Sequence, residues 1–444
     1  MTKRIYILLM CVGLWSSQSS AELTIEITEG VEGTLPVAVV PFAWLGAGKP
    51  PQDVAKIVSN DLRRSGRFDP MAMNDMLAKP TEPAQIKFQN WRIMEIPALV
   101  IGKVWLSGNP DFPYGVEFRV YDVFKEERIA ALRYKVRKGQ LRKVAHQISD
   151  IVYEKLTGEK GAFNTRIAYI KKLPQQAARP YGLFIADSDT ANEQGILVSR
   201  FPILSPTWSP DNKKLAYVKA SNLGAGIYIY DVSKQTQQRV TPKRSSYSAP
   251  SWSPDGKKLA MMLAKDGSTD IYVMDLQTRE FKKITKHWAI DTEPSWSPKG
   301  DSLIFTSERG GSAQLYRYTF KTQKIKRITF KGRQNLRAAH SPDGSMITFV
   351  HLSSDRRYHI AVMELDSGLM RIVSSNSRGE SEHESPSFSP NGSMIIYAAN
   401  YPQKGAKTKR TGLVAVTVDG RMQQHFTDTG AGEVREPAWS SFLN

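Results

Sequence analysis

Cysteine is almost absent: the 444-residue chain holds one, Cys11. An intrachain disulfide is thereby excluded, and so is a thiolate metal site. Long apolar runs are missing too. Ile5 to Trp15 is apolar for eleven residues, too short to span a bilayer comfortably, and no later run is long enough for a membrane helix. Lys3 and Arg4 precede that run, and Ser19 and Ala21 suit signal peptidase. Residues 1–21 are therefore expected to be a cleaved export signal, with the mature chain starting at Glu22. Met10 stands before Cys11 where lipid modification wants a small residue, so no lipid anchor is expected. The mature chain should be soluble and periplasmic.

Acid is scarce relative to base. Lys and Arg number 61 against 43 Asp and Glu, a formal charge of +18, or +16 without the signal. Such a surplus attracts nucleic acid, anionic membrane or an acidic protein. Export excludes nucleic acid as the partner. The charges are scattered over turns such as Lys213-Lys214, Lys257-Lys258 and Lys282-Lys283, the pattern of solvated hairpin ends.

Catalytic signatures are missing as well. There is no Gly-x-Ser-x-Gly elbow. His383-Glu384 opens a zincin-like pattern, but Ser387 stands where the second His belongs. The seven histidines show no ligand spacing. Gly46-Ala47-Gly48-Lys49 is similar to a phosphate loop, yet Pro50 replaces the Ser or Thr and Ala43 the first Gly. Asp187-Ser188-Asp189 with Asn192 and Glu193 offers calcium-type oxygens, although a polar turn explains it as well. No catalytic, cofactor or metal residue is expected. A binding protein is the default, its loops carrying recognition on a rigid frame.

What is present divides into two halves. Leu35 to Phe42 reads as a buried strand. Asp53 can cap a helix through Arg64, with Val54, Ile57, Val58 and Leu62 at helical spacing. Ala98 to Leu106 is a second strand. Val116 to Val123 and Ile129 to Val136 flank a charged turn, and Gln140 to Leu156 is amphipathic. Residues 34–160 thus form a small α/β domain, and 161–166 a linker. Beyond it, PSWSPDGKKLAM at Pro250 returns as PSWSPKGDSLIF at Pro294. The motif aromatics are Trp208, Trp252, Trp296, His340, Phe388 and Trp439, spaced by 44, 44, 44, 48 and 51 residues. That period belongs to four-stranded propeller blades. Five copies are complete. Arg166 to Val198 supplies three further strands, and Glu436 to Ser440 the missing innermost one. The expected fold is a small α/β domain followed by a six-bladed β-propeller, residues 167–444, closed by the C-terminal strand. The motif aromatics pack blades together, and the Asp-Gly pairs make turns. Loops entering the innermost strands (Arg244 to Ala249, His287 to Glu293, Arg333 to Arg337, Arg378 to Ser385, Gly432 to Glu436) surround one mouth of the channel.

These features together resemble the TolB family, exported propellers of the Tol–Pal cell-envelope system. Glu22-Leu23-Thr24-Ile25-Glu26-Ile27-Thr28-Glu29-Gly30-Val31 is similar to the family's N-terminal TolA-binding segment, and Pro36 to Phe42 to its first core strand. His340 and Phe388 depart from the usual tryptophan. The resemblance implies a non-enzymatic adaptor and a monomer. It implies that the lipoprotein Pal docks at the propeller mouth, giving peripheral association with the outer membrane, and that TolA takes the mature N-terminus, residues 22–33. Expected TolA contacts are Glu22, Leu23, Thr24, Ile25, Glu26, Ile27 and Thr28, whose alternation suits strand addition. Expected Pal contacts are Tyr247, Ser248, Asp291, Thr292, Glu293, Asn335, Arg337, Glu382, His383, Glu384 and Arg435. The implied role is envelope integrity and constriction at division. The rival is an exported propeller that binds or hydrolyses a small ligand such as a glycan.

Overall fold

The structure is a computed structural model that describes residues 33–173, 177–374, 381–401, 410–426 and 433–443. The chain divides into Met1–Thr34 and Leu35–Asn444, and the second unit carries everything below. The expected TolA segment lies outside the described residues.

The α/β domain opens with β1 (Leu35–Val39) and β2 (Ala43–Leu45), so the apolar run expected as one strand is broken near Pro41. α1 (Val54–Arg64) follows, capped by Asp53, whose Oδ1 accepts from the Lys56 amide at 3.0 Å. Then come β3 (Phe68–Pro70), α2 (Phe88–Ile93), β4 (Ala98–Leu106), β5 (Tyr114–Asp122), β6 (Glu127–Val136) and α3 (Leu141–Thr157). The sheet order is β3-β1-β4-β5-β6, with β2 also on β4. β1 is parallel to both neighbours, and β4, β5 and β6 are antiparallel. α1 and α3 bury Ile57, Val58, Leu62, Val144, Ile148 and Val152 on one sheet face. α2 closes the other by setting Trp91 against Ala38, Leu99 and Ile101.

Six four-stranded sheets make the propeller. Blades one to five span residues 203–239, 246–283, 291–327, 334–372 and 381–426. The sixth is composite. Glu433–Trp439 is its innermost strand and pairs antiparallel with Arg166–Lys172, which Tyr181–Asp187 and Gln194–Ser199 extend outward. Because the last strand fills the place left at the front, the ring has no free inner edge. Among the described residues no helix is long and apolar enough to cross a membrane.

The repeat motif works as turn and packing chemistry. In the second blade Ser253 Oγ donates to Asp255 Oδ1 at 2.6 Å, while the Lys257 and Lys258 amides donate to Asp255 and Ser253. Gly256 sits at φ 68°, which a side chain would strain. The third blade has Lys299 in place of the acid, and Asp301 takes over the bond from Ser297 at 2.7 Å. The acid is displaced by two residues rather than dispensed with. The indole N–H of Trp252 donates to Thr207 O at 3.2 Å and that of Trp208 to Ala438 O at 3.2 Å. Each ties its blade to the one before.

The α/β domain docks on the face where these hairpins turn. Asn391 Nδ2 donates to Lys160 O at 2.9 Å, and Arg64 Nη2 reaches Ser188 Oγ at 3.1 Å. Behind Arg64 lies a buried polar cluster. Asp61 Oδ2 receives Ser149 Oγ at 2.7 Å and His146 Nδ1 at 2.6 Å, and Arg142 pairs with Asp189. Asp150 binds the linker, accepting from the Phe163 and Asn164 amides at 2.7 and 3.1 Å.

Candidate functional site

Among the described residues, docking on the hairpin side leaves the opposite face uncovered. This mouth face holds the loops that lead into the innermost strands. Behind it every innermost strand carries a bulge, where its register against the next strand shifts. At each bulge a non-glycine residue adopts positive φ: Ser205, Ala249, Glu293, Arg337, Ser385 and Glu436, between 48° and 55°. In five blades a proline follows, a residue that a ladder tolerates at a bulge because it has no N–H to pair. These six pairs line the channel, a cavity of about 170 Å³.

Three bulge residues are charged, and they close the channel on themselves. Arg337 Nε donates to Glu293 Oε1 at 2.8 Å, Arg337 Nη2 lies 3.3 Å from Glu436 Oε1, and Arg337 Nη1 meets Ser385 Oγ. Glu293 also accepts from Thr306 Oγ1 at 2.9 Å, and Glu436 from the Ser205 amide. One guanidinium thus straps four blades. Partly buried charges with this many partners are costly to unpair.

The expected Pal contacts separate accordingly. Tyr247, Asp291, Asn335 and His383 are buried. Arg309 Nη2 donates to both Asp291 carboxylate oxygens, at 3.0 and 2.8 Å. Asn335 bonds Gln314, Lys331 O and His351, and His383 Nδ1 bonds Ser374 Oγ. Tyr247 packs on Phe281. Their side chains hold the inner strands. Glu293 and Arg337 pair with each other along the channel, whose lining they share. Ser248, Thr292 and Glu384 are half-buried, and Glu382 and Arg435 are exposed, Glu382 holding Asn400 at 2.5 Å and Arg435 pairing with Glu433 at 3.1 Å. Burial, with Glu436 nearby, holds the Glu384 carboxyl above its ordinary value.

Residues the motif reading passed over stand out on this face. Trp288 is 84% exposed and Phe330 74%, with Ile290 beside Trp288 in the loop. Arg327 stacks over Phe330 at 5.2 Å from the ring centre. Both loops run from an outermost strand to the next innermost one. The available signal was an apolar ring inside an otherwise polar connection, where burial cannot account for it.

On the hairpin side, Asp61, His146 and Asp189 bring ligand-type atoms within 4.8 Å of one another. Asp61 already serves Ser149, His146 and Arg64, and Asp189 serves Arg142. Two guanidiniums meet the acids' charge, so the donor set fits a salt-bridge cluster better than a cation. The expected calcium-type oxygens are likewise engaged: Asp187 by Asn192 at 2.7 Å, and Glu193 by Tyr169 and Lys171.

Fold and site define a two-domain protein, a small α/β domain on a six-bladed propeller. Comparison with known proteins gives the family. The TolB beta propeller domain model matches residues 153–443, and the TolB amino-terminal domain model residues 23–129. A relative in Nitrosococcus oceani, named Tol-Pal system protein TolB, is 53% identical over 99% of this chain and 98% of its own length. One of the same name in Thioalkalivibrio sulfidiphilus is 50% identical over 100% and 99%. The crystal structure of TolB from Acinetobacter baumannii matches with a TM-score of 0.81 at 36% identity, over 92% of this chain and 97% of that one. The chain belongs to the TolB family.

Proposed function

We propose that the chain is a non-enzymatic adaptor of the Tol–Pal system, periplasmic and monomeric, that binds Pal at the propeller mouth and TolA through residues 22–33. On this reading it supports outer-membrane integrity and constriction at division. The relatives' names and the family models support the Tol–Pal assignment. The observation that carries the binding site is the bare mouth face, with Trp288, Ile290 and Phe330 exposed beside Ser248, Thr292, Glu382 and Arg435. Exposed aromatic side chains are the usual anchors of an interface, and polar neighbours form its rim.

The test is calorimetry of the full mature chain with the soluble domain of Pal. Trp288→Ala with Phe330→Ala should weaken binding at least tenfold and leave the melting temperature unchanged. Equal affinity would remove the mouth from the proposal. Deleting residues 22–31 should abolish capture by TolA and preserve Pal binding. TolA capture that survives this deletion refutes the N-terminal assignment.

A further inference from the structure

The third blade breaks the packing rule of its neighbours. Three of the four motif indoles donate to a main-chain or hydroxyl oxygen: Trp208 to Ala438 O, Trp252 to Thr207 O, and Trp439 to Thr165 Oγ1 at 2.8 Å. Trp296 does not. Its Nε1 is shielded from solvent yet has no partner, and its ring lies on Phe320 with centres 5.0 Å apart and planes 17° from parallel. The cause is local. The first, second, fourth and fifth blades have Val232, Leu276, Leu365 and Val418 where this one has Phe320, each with its amide on the turn carbonyl between the first two strands. Only the third blade offers an aromatic plane there, and the indole stacks on it.

The displaced ring leaves a groove of about 450 Å³ between the second and third blades, on the hairpin side. Trp296 and Phe320 form its apolar wall with Val273. Lys258, Lys282 and Lys299 stand exposed around it. The one acid on its lining, Asp255, is engaged by Ser253 and the Lys257 amide, which hold its carboxyl below the usual range. The groove therefore combines a stacked aromatic wall and a positive rim. Its size is that of a small-molecule site rather than a protein footprint.

We propose that this groove binds a small acidic saccharide. A pyranose presents a flat C–H face to an aromatic ring. A carboxylate on the ring meets the lysines as charge-assisted hydrogen bonds, stronger than neutral ones. The site is separate from the mouth, and it stands whether or not Pal binds there.

The experiment titrates the full mature chain with a glucuronate-containing disaccharide by calorimetry, beside cellobiose and sodium sulfate at equal ionic strength. The acidic disaccharide should bind with a dissociation constant below 1 mM, and the other two at least tenfold more weakly. Trp296→Phe should lower affinity several-fold, and Lys282→Gln with Lys299→Gln at least tenfold. The lysine pair is exposed, so that variant keeps the fold and the parent's melting temperature. Trp252→Phe, in the neighbouring blade, should leave binding unchanged. No heat with the acidic disaccharide at 10 mM overturns the proposal. Equal binding of sulfate also overturns it, because lysine charge alone would then explain the result. Affinity unchanged by the lysine pair does the same.

Discussion

His340 shows how one residue can shift the balance of a repeat. It stands where two copies have a tryptophan that donates to the preceding blade, and its Nδ1 lies 3.2 Å from Ser295 Oγ in that blade. Burial, reinforced by Arg317, pushes its pKa down to about 4. His383, buried near His359 and His425, is likewise at about 4. A histidine depressed in the fold gives stability that is complete above its unfolded value near 6.5. That stability drains as pH falls toward 4, since the unfolded chain then binds the extra protons. From pH 7 to pH 5 each should cost about 2 kcal/mol. The variant His340→Phe should therefore lose less melting temperature over that interval than the parent. Parallel losses in the two proteins would rule out His340 as a contributor.

The strands and helices were legible to different degrees. α1 and α3 could be read because their apolar residues recur on one stripe, and the blades because the motif recurs at 44 residues. α2 and β3 were not, being six and three residues long, too short for a period to show. Direction was hidden as well. Glu293 precedes Pro294 in a loop-like sequence, but the positive φ of its bulge turns it into the channel toward Arg337. Trp296 sits in the same motif as Trp252, and the residue that displaces it, Phe320, comes two strands later. Two consecutive linker amides rest on a single helical side chain. Burial raises Asp150 to about 6 while the Phe163 and Asn164 amides pull it back. Asp150→Ala strands both amides and should cost about 2 kcal/mol or more. Denaturant unfolding would check this, and a loss below about 0.5 kcal/mol would mean the linker is held elsewhere.

Across the whole molecule, the two domains meet through charge. Burial alone would lower His146, but Asp61, hydrogen-bonded to it, and Asp189 nearby outweigh that and hold its pKa above the ordinary value. Arg64, on the other side, opposes them. A raised histidine gives stability that is full below about 6.5 and is lost as pH climbs through the folded value. Docking of the α/β domain should therefore be tighter at pH 6 than at pH 9. Hydrogen exchange at Ala162 to Thr165, corrected for intrinsic rate, should show more opening at the higher pH, and His146→Gln should remove the difference. A difference that persists in the variant would acquit His146. Asp61 and Arg64 were hard to foresee as interface groups, because charges beside the stripe of α1 read as its solvent edge.

The composite blade has a consequence in time. Its innermost strand comes from the last residues of the chain, and its second strand is laid down more than 260 residues earlier. The ring cannot close until Glu433–Trp439 has been made, so the inner edge at Arg166–Lys172 waits unpaired while the five other blades emerge. Such late, long-range pairing slows folding and leaves an intermediate prone to adding a foreign strand. Closure of the ring is a race between Glu433–Trp439 and any other strand that finds the gap first.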